Sequence, residues 1–184
     1  MSYETIVMPT TELMLHQATE YAKLIPNLRN SITEGKGTFA GCLGEIALND
    51  FLRSDNDSDS AIIGDYQYDI IYKGNKVEVK TKRTTVPPKS NYEASVTAVN
   101  VKQACDFYFF MRADERNWGR VWLCGVVTRQ GFKDKSIFHK KGELDPDNNY
   151  TFKQDCYNIS HSKMPIPAKM LDFARKHNYE VETF

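Results

Sequence analysis

Apolar and polar residues alternate through residues 65–72 and 77–81, and Lys73-Gly74-Asn75-Lys76 interrupts the two runs with a tight-turn signature. A period of two, rich in Tyr, Ile, Val and Thr, predicts two antiparallel strands joined as a hairpin. A two-residue Gly74-Asn75 loop would pair Lys73 with Lys76, Ile71 with Glu78 and Asp69 with Lys80. Because side chains alternate across a strand, Asp69, Ile71, Glu78 and Lys80 then share one face, and Tyr68, Ile70, Tyr72, Val77 and Val79 share the other.

Elsewhere the period changes. Residues 37–53 repeat apolar positions at helical spacing, Phe39, Leu43, Ile46, Ala47 and Phe51, with Thr38 as N-cap and Glu45 at the margin of the stripe. Residues 11–25 form a second amphipathic pattern through Met14, Ala18, Tyr21, Ala22 and Ile25, starting near Thr11 and ended by Pro26, with His16 on its surface. Residues 106–112 enclose a continuous aromatic run, as expected of a strand buried on both faces and central in a sheet. Residues 120–128 form its hairpin partner across the polar loop 113–119. Residues 96–104 read as a short strand and helical turn or as a short helix. Residues 145–149 read as a turn, 150–159 as an edge strand, and Met164-Pro165-Ile166-Pro167 introduces a last helix at 168–177. Residues 54–60 and 84–90, the latter with Pro87-Pro88, read as loops. This order predicts an α/β domain whose mixed β-sheet is flanked by helices.

The chain has 184 residues, enough for a single domain with a proper core. Lys plus Arg equals Asp plus Glu, at 24 each, so net charge gives no hint of a nucleic-acid partner and positive charge must be concentrated locally to serve one. It is concentrated beside the hairpin, where Lys73, Lys76, Lys80, Lys82, Arg83 and Lys89 face Glu78 as the one acidic residue. A second basic run, Arg129, Lys133, Lys135, His139, Lys140 and Lys141, has only Asp134 against it. Cys42, Cys105, Cys124 and Cys156 lie far apart, which reads as reduced, buried thiols rather than a zinc site or disulfides. No basic-then-apolar leader and no apolar run of membrane length is present, so a cytoplasmic protein with no membrane partner is expected.

Two carboxylates on neighbouring strands repel unless a cation lies between them. Magnesium, or manganese in its place, takes oxygen ligands of this kind. An amine beside them suits an attack of water on a phosphodiester. Asp69 followed by Glu78-Val79-Lys80 on a strand-turn-strand resembles the Asp…Glu-x-Lys signature of the PD-(D/E)XK nuclease superfamily, although Tyr68 stands where that family often has Pro. The resemblance implies a restriction-endonuclease-like core over about residues 38–128, with a variable C-terminal part at 129–184. It implies magnesium held by Asp69, Glu78 and the Val79 carbonyl, with Glu45 as a third carboxylate from the preceding helix, and Lys80 serving the attacking water. It also places Gln103 near the site, and Gln103 and the adjoining basic residues Lys82, Arg83 and Lys89 are candidates for DNA contact. The expected activity is that of a metal-dependent DNA endonuclease. A branched-DNA resolvase, a site-specific endonuclease and a repair nuclease are all compatible. A homodimer would suit an enzyme that cuts two strands. The alternative is a non-catalytic nucleic-acid-binding or assembly protein that retains the fold.

Overall fold

The structure, a computed structural model, describes residues 3–25, 37–54, 59–65, 67–145 and 150–184. The elements run β1 (Glu4–Pro9), α1 (Glu12–Leu24), α2 (Thr38–Arg53), β2 (Ala61–Asp65), β3 (Tyr68–Tyr72), β4 (Asn75–Thr84), β5 (Glu93–Thr97), β6 (Phe107–Asp114), β7 (Arg120–Thr128), α3 (Arg129–Lys135), β8 (Ile137–His139), β9 (Leu144–Asp145), β10 (Tyr150–Thr151), β11 (Cys156–Ser160), α4 (Ala168–Lys176) and β12 (Glu180–Thr183). The expected α/β class holds, with a mixed sheet of seven strands in the order β12-β1-β7-β6-β4-β3-β2. A three-stranded sheet β5-β11-β8 and a β9-β10 ribbon complete the strands among the described residues.

β6 takes the central position that its apolar run predicts, parallel to β4 on one side and antiparallel to β7 on the other. Its side chains divide between two cores. Phe109 and Met111 join Val77 and Val79 of β4 beneath α2, where Leu43, Ala47, Leu48 and Phe51 are buried. Tyr108 and Phe110 point the other way, onto Phe132 of α3, Val96 of β5 and Ile159 of β11. A parallel β4–β6 pair needs a long connection, and the segment between them supplies β5 and the 3₁₀ turn Asn100–Lys102. This crossover puts the small sheet against the face opposite α2.

Several expectations are corrected in detail. The β3–β4 hairpin pairs Ile70 with Val77, Ile71 with Lys76 and Tyr72 with Asn75, two residues away from the predicted register. The loop is Lys73-Gly74, both at positive φ, 47° and 75°, as a type I′ turn requires. A shift of two preserves the faces, so the predicted division stands for Ile70, Tyr72, Val77 and Val79, but not for Tyr68, which at the start of β3 packs on the opposite core with Lys76 over its ring. The first predicted strand is split: Asp65 ends β2, and β3 begins at Tyr68. Residues 150–159 are likewise two strands, and β11 lies in the middle of its sheet rather than at an edge. The ambiguous segment 96–104 resolves into the end of β5 and the 3₁₀ turn. α1 has its N-cap at Thr11, whose hydroxyl accepts from the Met14 N–H at 3.2 Å. α2 starts at Thr38 itself, with Gly37 as an N-cap that has no side chain to offer. The four cysteines are buried thiols. Among the described residues no helix is long and apolar enough to cross a membrane. Pro26, most of the turn at 145–149 and part of the loop at 54–60 lie outside the described residues.

α2 approaches β4 most closely at Gly44, where an added Cβ would run into Thr81 Oγ1. Gly44→Ala should therefore destabilise the protein by about 1–3 kcal/mol through overpacking, outweighing the gain of about 1 kcal/mol in helix propensity. Denaturant titration is the check, and adding Thr81→Ala should recover part of the loss. A more stable Gly44→Ala protein would mean that the contact is looser than described.

Candidate active site

β3 and β4 keep their backbone pairing through Ile70 and Val77. Beyond that point the Val79 N–H donates to Asp69 Oδ2 at 2.7 Å. A side-chain carboxylate takes over as acceptor where the strands part, which pins Asp69 beside β4. By continuation of the register, Asp69 lies opposite Glu78, not opposite Lys80 as predicted, so the two carboxylates are cross-strand neighbours. Glu78 is buried, at 2% exposure. Lys80, two residues along the same face, forms an ion pair with Glu78 Oε1. Gln103, the residue closing the 3₁₀ turn, is also buried and brings Oε1 to 3.4 Å from Lys80 Nζ.

Glu45 enters from α2. Its carboxylate lies near the Tyr21 hydroxyl of α1 and feels the charges of Asp69, Glu78 and Lys80. Burial, followed by the Asp69 and Glu78 carboxylates, pushes Glu45 up to about 9. Burial and then Glu78 push Asp69 up to about 7, against the opposing pull of Lys80 and the Val79 N–H. Burial acts to lower the pKa of Lys80, yet Glu78 and Asp69 outweigh it and leave the pKa raised. Lys80 is thus held as an ammonium at neutral pH, and the carboxylates outnumber their cation.

Two buried oxygens carry this imbalance furthest: Glu45 Oε2 and Glu78 Oε2 have no hydrogen-bond partner. Buried acidic oxygens without partners are costly whether charged or neutral, and a hard divalent cation is the kind of group that such oxygens hold once deprotonated. The fit is to an ion that keeps much of its own water. Among the described residues no three His, Cys, Asp or Glu side chains are already arranged as a ligand set. Magnesium commonly uses one or two carboxylates and fills its other positions with water and phosphate oxygens, and the Asp69–Glu78 pair suits that mode.

The other predicted residues divide. Lys82 follows Lys80 on the same face, but its Nζ is tied to the Glu93 carbonyl at 3.0 Å and to Ser95 Oγ at 2.8 Å. Arg83 falls on the opposite face of β4 and pairs with Glu115 at 2.8 Å. Lys89 is exposed on the loop before β5. The Val79 side chain is in the core beneath α2, and its backbone lines the site. His16 is exposed, as expected. Tyr21 is the participant that the sequence pattern assigned only to packing. A Tyr within an apolar stripe carries a hydroxyl that needs a partner, and this was the available signal. Comparison with protein-family models and with curated proteins finds no match to this chain.

The raised carboxyls make stability depend on pH in a definite direction. Their folded-state pKa values exceed the ordinary ones of 3.8 and 4.5, so the stability they contribute is fully present below about pH 4. It is lost as the pH rises through about 7 for Asp69 and about 9 for Glu45. In chelator the melting temperature should fall steadily across that window. Glu45→Gln should flatten the upper part of the fall, and magnesium should stabilise the wild type most at the alkaline end. A melting temperature independent of pH and of magnesium would contradict this account of the site.

Proposed function

We propose that this protein is a divalent-metal-dependent DNA nuclease, an endonuclease of the PD-(D/E)XK type with a restriction-endonuclease-like core. The observation that carries the reading is the Asp69–Glu78 carboxylate pair at the β3–β4 fork, joined by Glu45 from α2 and by Lys80, with two partnerless carboxylate oxygens buried among them. In this reading Asp69, Glu78 and the Val79 carbonyl hold magnesium or manganese, and Glu45 supports them from the helix side. When bound, such an ion stabilises the charge that develops on the phosphodiester under attack.

The chain's own residues do the rest. Lys80, kept protonated by its carboxylate neighbours, is a donor and not a general base: it holds the attacking water by a lone pair and offsets charge on the phosphate. Gln103 accepts from Lys80 and limits the directions in which its ammonium can point. The Val79 N–H fixes one oxygen of Asp69, leaving the other free to act as a ligand. DNA is the proposed substrate, and a dimer would place two such sites on two strands.

A second reading, a non-catalytic nucleic-acid-binding or assembly protein, draws on the closed Lys80–Glu78 ion pair and on the neutral net charge. The two separate in one experiment: supercoiled, linear, single-stranded and four-way-junction DNA incubated with magnesium or manganese. Cleavage is expected, abolished by chelator and reduced by about 10²-fold or more in Glu78→Gln and in Lys80→Ala, with DNA binding retained. DNA binding without cleavage of any form, unchanged in both variants, would favour the second reading.

A further inference from the structure

Two residues past Lys80 on the same face of β4, roughly 7 Å along a strand that rises about 3.3 Å per residue, stands Lys82. Its Cα partner in the parallel β4–β6 register is Arg112. Two cations are thus cross-strand neighbours, an unfavourable pairing unless something offsets it. The groups that hold them are mostly neutral. Lys82 Nζ donates to the Glu93 carbonyl and to Ser95 Oγ. Arg112 Nη2 donates to the same carbonyl at 3.1 Å, and the guanidinium lies 4.9 Å from the centre of the Tyr92 ring. The Glu93 carboxylate is within electrostatic reach of Lys82, but Asn158 Nδ2 bonds it at 2.7 Å. Ser95 Oγ donates onward to Asn158 Oδ1 at 2.6 Å, so its proton is spent on positioning. Burial and then Arg112 lower the Lys82 pKa, while the residue keeps an exposed surface. Lys82 keeps a third N–H beyond these two bonds, and Arg112, half-buried, keeps its Nε buried without a partner.

We propose that Lys82 and Arg112 form a phosphate subsite for the nucleotide adjacent to the one cut, with Ser95 and Asn158 as positioning residues. This rests on the nuclease reading for its place in catalysis: two residues of strand match the separation of successive phosphates, so a strand cut at Asp69 and Glu78 sets its neighbouring phosphate on this pair. Arg presents a fork and Lys a point charge, a combination suited to phosphate oxygens. Of the predicted DNA contacts, Lys82 thereby acquires a particular role, and Arg112, a charged residue at the end of a buried aromatic strand, joins it.

The probe is inorganic phosphate, titrated into the metal-free protein and followed by amide shifts at Ser95 and Arg112. A saturable response is expected, weakened about tenfold in Lys82→Gln, in line with the loss of one charge-assisted hydrogen bond, and restored in Lys82→Arg. In the same variant the salt dependence of binding to a duplex in calcium should fall by about one unit of slope, whereas exposed Lys169→Gln should leave it unchanged. Unmoved amides, or a Lys82→Gln protein that binds phosphate and duplex like the wild type, would overturn the subsite. If Lys82→Gln lowers the melting temperature with phosphate affinity intact, Lys82 is a strut between the sheets and the proposal fails. Phosphate binding at the pair with no DNA cleavage under any metal would overturn the nuclease reading and leave the anion site standing.

Discussion

Electrostatic repulsion among Glu45, Asp69 and Glu78 is the constraint around which this corner of the molecule is built. Three acidic groups from α2, β3 and β4 share a partly buried region with a single ammonium, Lys80. A packed core without a further task would place apolar residues there, since a buried ionic cluster seldom adds stability over hydrophobic side chains of similar volume. The protein instead retains the acidic groups and restrains two of them, Asp69 by the Val79 N–H and Glu78 by Lys80, while burial and its neighbours push Glu45 toward its neutral form.

The fold makes that concentration achievable. The central β6, buried on both faces, anchors β4, and β4 in turn carries apolar residues toward α2 and Glu78, Lys80 and Lys82 toward the other side. Gly44 lets α2 lie close over β4, which brings Glu45 within electrostatic reach of the fork from the helix side. The crossover between β4 and β6 then delivers Gln103 to Lys80 and the β5 backbone to Lys82. Polar groups from segments distant in sequence converge on one strand face because that strand is parallel to its neighbour and needs a long connection to reach it.

Much of this was legible from alternation alone. The faces of β3 and β4, the central place of β6 and the two helices before the hairpin follow from periods of two and of three to four residues. The hairpin register was not legible, because Lys73-Gly74 and Gly74-Asn75 are both plausible loops and only the folded chain shows Lys73 taking the positive φ. That choice moved Asp69 from opposite Lys80 to opposite Glu78, turning a diagonal pair of carboxylates into direct cross-strand neighbours. β1 and β12, which extend the sheet beyond β7, were missed because short terminal strands carry little periodic signal and are set by pairing with distant partners. α3 was read only as a basic run, since its seven residues are held by Phe132 in the core and a Thr128 cap rather than by an apolar stripe. Gln103 was placed near the site by resemblance, while Tyr21 and Arg112 needed the tertiary structure.

The central claim is that Asp69 and Glu78 together hold a divalent cation. Anomalous diffraction from crystals grown with manganese tests it most directly. The account predicts one peak within coordination distance of both carboxylates, near the Val79 carbonyl, lost in Glu78→Gln. A peak elsewhere, or none at saturating manganese with the Lys80–Glu78 pair unchanged, would contradict it.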